Sequence, residues 1–466
     1  MSPLGTSQRY PSGRRSRHRL PFASGPWDDP GIVLRDRAID IVLRLREAGH
    51  EALLAGGCVR DRLLGTEPTD YDIATSATPE EIEALFDGTV AVGKRFGVIV
   101  IPDEQRDFEV ATFRTDGPYL DGRHPSTVRF ATAEEDARRR DFTINAMFED
   151  PVAGRTIDLV GGRDDLDAGV IRAVGDPRER FAEDRLRMLR AVRFAARFGF
   201  EIDPPTFDAI CEGAAELERV SAERIGDELV KLLTEGAARR GFELLDATGL
   251  LAVVVPEMLE MKGCEQSADH HPEGDVFVHT LACVEQLAAG CEPTLALGVL
   301  LHDVAKPPCA ETIDGRHTFH GHTRLGAEMA EAICRRLRLG NAVTERVMML
   351  VDQHLRHCSA ADMKPSTLKR FLRQDGIEEL LELTRIDTLA ASGDLTHHDF
   401  CVASLAELPV ETLRPPPLLG GADLIAMGLE PGPRFGEILD AVEEAQLDGA
   451  IGTHEEAVAL VRERFL

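Results

Sequence analysis

Aromatic side chains are scarce in this chain: Phe, Trp and Tyr make up 5% of its 466 residues, with one Trp and three Tyr. Leu, Val and Ala must therefore fill its cores. Long apolar runs are missing too. The longest, Gly249 to Val255 and Leu295 to Leu301, fall far short of the roughly 18 residues that cross a bilayer. The nine cysteines are odd in number and none forms a Cys-x-x-Cys pair, which argues against a disulfide framework or a zinc knuckle and for a reducing, cytoplasmic setting. Positive charge is outweighed, with 53 Lys and Arg against 81 Asp and Glu and a formal net charge of -28. Such an excess repels a phosphate backbone at long range and excludes indiscriminate coating of nucleic acid, while leaving room for a local basic stripe. What is present, 43% apolar and 29% charged residues, is the composition of a soluble globular protein. At roughly 100 to 200 residues per domain the length allows two to four.

Acidic residues are absent from the first 26 positions, where Arg9, Arg14, Arg15, Arg17 and Arg19 lie among Ser, Pro and Gly. We expect a disordered tail over 1–29; its prolines oppose the amphipathic helix of an organellar targeting peptide. From 30 to 160 helical periodicity (32–48, closed by Gly49) alternates with strand-like stretches at Glu51 to Ala55, Tyr71 to Ala74, Val98 to Ile101, Phe108 to Phe113 and Thr127 to Phe130. That pattern predicts an α/β unit round a small mixed sheet. From about Pro177 the strands give way to helical patterns almost to the end.

Thr69-Asp70-Tyr71-Asp72-Ile73 carries the first chemical signal. On a strand alternate side chains share a face, so Asp70 and Asp72 point the same way. Two such carboxylates call for a cation, and hard dications such as Mg²⁺ are held by one or two carboxylates together with substrate phosphates. Gly56-Gly57, between a strand and a helix about a dozen residues upstream, offers bare backbone N–H groups to phosphate, with Arg60 and Arg62 adding charge. Glu109 is the candidate third carboxylate. Asp184 and Arg187 are three apart, which on a helix puts them on one face. An acceptor beside a donor matches the amino group and ring nitrogen of cytosine or adenine and opposes uracil and guanine. Ile171 to Phe200 is arginine-rich, and a face including Arg190 and Arg197 is a candidate for an RNA backbone.

The runs Leu54 to Gly65 and Asp70 to Thr75, Arg139 to Ala146, Asp158 to Asp164, and Glu183 to Phe194 resemble, in order, the motifs of the bacterial-type tRNA nucleotidyltransferase and poly(A) polymerase family. The resemblance implies a polymerase-beta-like α/β nucleotidyltransferase head followed by a long all-α body. It implies metal ligation by Asp70 and Asp72, and contacts to sugar and phosphates by Arg140, Asp141, which would read the ribose, and Asn145. It implies base selection by Asp184 and Arg187. Arg114 to Arg123 resembles the family's loop for terminal A addition, which argues against an enzyme restricted to C. Further on, His279, His302-Asp303, His322, His354 and Asp387 resemble the HD superfamily of metal-dependent phosphohydrolases, implying a divalent transition metal in a second site.

The expected organisation is a catalytic head over 30–160, a helical nucleotide-selecting and RNA-binding region over 161–262, an HD domain over 263–413 and a helical tail over 414–466. The expected activity is addition of C and A to a tRNA 3′ end from CTP and ATP. The rivals are poly(A) polymerase, A-only addition, a hydrolase in which the HD unit is the main activity, and a non-catalytic RNA-binding protein.

Overall fold

Short apolar and β-branched stretches pair where the sequence alternates. The computed structural model describes residues 34–104, 106–117, 127–267, 271–272 and 274–466, so the expected N-terminal tail lies outside the described residues. The strands are β1 (Ala52–Ala55), β2 (Asp72–Thr75), β3 (Val90–Gly93), β4 (Val98–Ile101), β5 (Phe108–Thr112), β6 (Arg114–Asp116), β7 (Val128–Phe130), β8 (Phe148–Asp150) and β9 (Arg155–Ile157). Seven of them form a mixed sheet in the order β3-β4-β5-β2-β1-β8-β9. β2 and β5 run parallel, with Ile73 opposite Val110, and the other neighbours antiparallel. The helix Leu34–Glu47 buries Ala38, Ile41, Val42 and Leu45 at helical spacing. Phe113 and Phe148 meet edge to face at 5.9 Å in the same core.

Contacts divide the chain into two compact units, Met1–Phe113 with Phe148–Ile157, and Arg114–Met147 with Asp158–Leu466. The expected head over 30–160 is thus interrupted, because 114–147 packs with the helices that follow. Phe142 meets Phe194 edge to face at 5.8 Å, and Thr143 Oγ1 donates to Asp165 at 2.7 Å. β6 and β7 pair antiparallel in this second unit, so the strand expected at Thr127 to Phe130 lies outside the main sheet. The intervening 118–126, including much of the loop expected at Arg114 to Arg123, lies outside the described residues.

From Pro177 the described chain is helical apart from Glu201–Ile202 and the hairpin Glu311–Ile313 with Arg316–Thr318. Residues 414–466 carry their own small core of Leu419, Leu424, Ile438, Val442, Ala457 and Val461. Arg370 and Arg373 on and beside the helix Pro365–Leu372 fasten it through Glu443, at 2.9 and 2.6 Å.

The segment 158–164 folds back on itself. Asp158 accepts backbone N–H groups from Val160, Gly161, Gly162 and Arg163 at 2.9 to 3.1 Å. At Gly162 an added Cβ would stand 2.2 Å from the Thr143 carbonyl oxygen, a backbone atom that cannot swing away. Gly162→Ala should therefore destabilise the second unit by roughly 1 to 3 kcal/mol, read as a lowered urea midpoint; an unchanged midpoint would contradict this packing.

Candidate active site and metal centre

In the first unit the two-residue period places the carboxylates. Tyr71 is buried and donates to Glu67 at 3.0 Å, while Asp70 and Asp72 on either side of it are exposed. Asp72 opens β2, and one step back from the Ile73–Val110 register sets it beside exposed Glu109 on β5. The structure thus brings Asp72 and Glu109 together on neighbouring strands, with Asp70 just before β2. Arg106 lies 3.6 Å from Asp70 Oδ2, a cation against a site made only of carboxylate oxygen. Gly56 has φ 75° and ψ -128° where β1 turns into the helix Gly57–Leu63, a backbone that excludes a Cβ. Burial, with Asp72 close by, pushes the Cys58 thiol up to about 12, so Cys58 is an inert packed thiol. Arg60 is buried and bound to Asp61 at 2.7 Å, and Arg62 is bound to Glu149. Both are thus held to the turn by carboxylates.

In the second unit Asp184 is not on a helix with Arg187. It sits in extended backbone (φ -145°, ψ 106°) between the helices Pro177–Glu183 and Leu186–Phe198. Its Oδ1 accepts the Leu186 N–H at 3.1 Å, tying the break to the start of the next helix. The two side chains do not pair with each other. Arg224 grips Asp184 at 3.1 and 2.7 Å, and Arg187 donates to Glu183 at 2.6 Å and to the carbonyls of Arg180 and Arg139.

Asp141 accepts from Phe142 N–H (2.8 Å), Asn145 Nδ2 (3.3 Å) and Arg190 Nε and Nη2 (2.9 and 2.7 Å). Four donors fill a carboxylate's acceptor sites, so Asp141 orders its own loop as well as standing where the sequence expects a ribose contact. Burial by itself would raise its pKa, but Arg190 above all, with Arg187 and the Phe142 N–H, holds it at about 2. Arg140 is likewise bound to buried Asp136 at 3.0 Å and donates to the Asn145 carbonyl at 3.3 Å. Arg190 is thus committed to Asp141, and Arg197 lies 3.5 Å from Glu235; both arginines expected to face an RNA backbone are answered by carboxylates.

A third group gathers in the second unit. His279 Nε2 lies 3.3 Å from His302 Nε2 and 3.0 Å from Asp387 Oδ1. Asp303 spans the cluster: Oδ2 is 3.2 Å from His302 Nε2, and Oδ1 is 3.6 and 3.8 Å from His322 and His354 Nε2. All six residues expected there are brought together. The rings of His302, His322 and His354 donate Nδ1–H to the carbonyls of Val299, Phe319 and Val351, which turns each Nε2 inward. Buried Asp303 Oδ1 and His322 Nε2 have no hydrogen-bond partner. Lys306 Nζ, held by Gln266 at 2.6 Å, lies 2.7 Å from Asp303 Oδ2. Burial alone would lower His302, but Asp303 and Asp387 outweigh it and raise its pKa well above the usual histidine value. Burial depresses His354, to about 3.

Sequence reasoning missed Asp136, Glu183, Arg224 and Cys283. Cys283 Sγ is 3.4 Å from His279 Nε2, and the signal that finds it is simple: the two are four apart on the helix Val276–Glu285 and so share a face.

Comparison with known proteins gives matches to three family descriptions: Poly A polymerase head domain over 52–172, Probable RNA and SrmB-binding site of polymerase A over 199–262, and tRNA nucleotidyltransferase domain 2 putative over 319–461. The chain is 36% identical over 431 residues to the A-adding tRNA nucleotidyltransferase of Deinococcus radiodurans, covering 88% of this chain and 95% of that one. It is 34% identical over 430 residues to the CCA-adding enzyme of Streptococcus gordonii, covering 92% and 97%. Among solved structures it is similar to the Bacillus stearothermophilus CCA-adding enzyme in complex with CTP, with 29% identity, a TM-score of 0.69 and coverage of 92% and 97%.

Asp141 gives the site a measurable pH signature. Its pKa is depressed in the folded state, so its stabilisation is complete above the unfolded value of about 3.9 and is lost as pH falls through about 2. Arg190→Met, which leaves the carboxylate buried without its cation, should cost roughly 3 kcal/mol at pH 7. Urea unfolding should show that deficit shrinking between about pH 4 and pH 2; a deficit constant over that range would refute the pairing as its source.

Proposed function

From the premise that the chain belongs to the tRNA nucleotidyltransferase family, we propose that it adds C and A nucleotides to the 3′ end of tRNA from CTP and ATP, releasing pyrophosphate. The observation that carries this reading is the pair Asp184 and Arg187, each fixed by a partner other than its mate. An acceptor and a donor three residues apart in the chain, each held by a partner other than its mate, would offer a template for the Watson–Crick edge of C or A. Uracil or guanine would set carbonyl against carboxylate and N–H against guanidinium, and buried mismatches of that kind are what gives a polar site its selectivity.

Asp70, Asp72 and Glu109 supply only hard oxygen donors in an exposed setting, the donor set that suits Mg²⁺. A bound pair of such ions neutralises the triphosphate and lowers the pKa of the attacking 3′-hydroxyl. The chain's own part is positional: the Gly56 turn presents backbone, and Arg140, Asp141 and Asn145 form one mutually bonded edge for the sugar. All nine cysteines are free, and no helix among the described residues is long and apolar enough to cross a membrane. We place the reaction in the cytoplasm, where unpaired thiols persist. The second cluster, His279, His302, Asp303, His322, His354 and Asp387, we assign to a divalent transition metal, on its converging Nε2 atoms and the unpartnered Asp303 Oδ1.

The A-adding relative at 36% identity favours a second reading, in which only the terminal A is added. Incubation of the chain with tRNA lacking CCA, with CTP and ATP, separates the two. We expect discrete products ending at CCA. Extension restricted to tRNA already ending in CC would install the A-adding reading, and a long ladder from ATP alone would install poly(A) synthesis. Asp72→Asn should lower incorporation by about 10³-fold or more with tRNA binding retained in a gel-shift assay. Arg187→Ala should instead admit UTP and GTP in a four-nucleotide incorporation assay; unchanged base choice would defeat the template.

A further inference from the structure

The histidine and aspartate cluster of the second unit contains a donor of different chemistry. We propose that Cys283 is a metal ligand, completing with His279, His302 and Asp387 a four-donor site for a zinc-class ion; the proposal rests on the metal-site reading above and adds the identity of the ligand set and of the ion.

Four donor atoms, two nitrogens, one sulfur and one oxygen, lie within 4.8 Å of one another. Ligands at zinc distances on the corners of a tetrahedron are separated by about 3.3 to 3.6 Å. The separations here are 3.3 Å for His279 to His302, 3.4 Å for His279 to Cys283, 3.0 Å for His279 to Asp387 and 3.7 Å for His302 to Asp387. The two remaining separations, from Cys283 to His302 and to Asp387, are within 4.8 Å. Cys283, His279 and His302 are buried completely or nearly so, and the Asp387 side chain is 14% exposed. A second donor group, Asp303, His322 and His354, adjoins it through the Asp303 carboxylate, whose unpartnered, buried Oδ1 aims into that group. A thiolate favours zinc, cobalt or iron over magnesium or calcium. Four protein donors close the first position, whereas three leave the second open to an exogenous ligand, the division seen between structural and catalytic zinc sites.

The full-length chain, produced in cells supplied with cobalt in place of zinc, provides the test. Thiolate-to-cobalt charge transfer absorbs in the near ultraviolet, and tetrahedral cobalt shows intense visible bands. We expect both. Cys283→Ser should remove the near-ultraviolet band and keep visible bands, and Cys211→Ser, at an exposed cysteine, should keep both. His279→Ala should remove the visible bands, assigning them to this cluster and not to Asp70 and Asp72. Circular dichroism of each variant checks that it is folded. Visible bands without the near-ultraviolet band in the unsubstituted chain, or its persistence in Cys283→Ser, overturns the thiolate ligand while leaving the metal site standing. Absence of any cobalt at the cluster overturns the metal-site reading and this inference with it.

Discussion

The two bonds from Arg190 to Asp141 hold the loop 141–145 to the helix Leu186–Phe198, and through Asp141 they also fix Asn145. The helix carries a basic stripe at three- and four-residue spacing, Arg187, Arg190, Arg193 and Arg197. Each is answered by acids: Glu183, Asp141, the pair Glu228 and Glu235, and Glu235 again. In a chain of net charge -28 these arginines work inward, and at Asp141 the guanidinium of Arg190 offsets the burial that would otherwise favour a protonated carboxyl. That the stripe is basic in sequence therefore says little about phosphate binding, because its charge is already spent within the fold.

What could be read from the sequence was whatever depends on short-range periodicity. Asp70 and Asp72 flank a buried Tyr71 because a strand alternates, and the strands from β1 to β5 lie within a residue or two of their expected limits, β3 excepted. What could not be read depends on partners far away in the chain. Arg224 is 40 residues from Asp184 and Arg190 is 49 from Asp141, and no local pattern announces either bond. The break at Asp184 was hidden for a related reason. Residues 183–194 have uninterrupted helical composition, and only the capture of Asp184 by Arg224 and by the Leu186 N–H makes an extended residue preferable to a helical one. The boundary at Phe113 was invisible too, since 114–147 joins the second unit through contacts such as Phe142 with Phe194. Cys283 is the opposite case: its four-residue offset from His279 was legible, but a lone cysteine in an apolar helix reads as packing until its neighbour is known.

The two candidate metal centres show how one side chain type serves different chemistry. Asp70, Asp72 and Glu109 are exposed and oxygen-only, so ions held there would exchange with water and take substrate phosphates as ligands. Asp303 and Asp387 are surrounded by imidazoles and, beside His279, a thiol, and their carboxyls are held well below the ordinary range, against the opposing effect of burial, by the histidines and, at Asp303, Lys306. An ion bound there replaces positive charge that histidine and lysine otherwise supply. Hard, exchanging ions suit nucleotidyl transfer; buried, softer-liganded ones do not turn over with each nucleotide.

The same economy of charge bears on the base template we propose. Had Asp184 and Arg187 bonded to each other, a nucleotide would have had to break a buried ion pair before either could read a base, a cost of several kcal/mol. Arg224 and Glu183 instead hold each side chain in an ion pair of its own and so fix the two separately. The price is a template that is rigid and polar, and rigidity favours selectivity: a base with the wrong donors cannot be accommodated by rotating the carboxylate away, because Arg224 holds both of its oxygens. On that proposal, discrimination between C or A and the other bases would follow from leaving partly buried donors and acceptors unmatched, which costs more than the loss of one apolar contact.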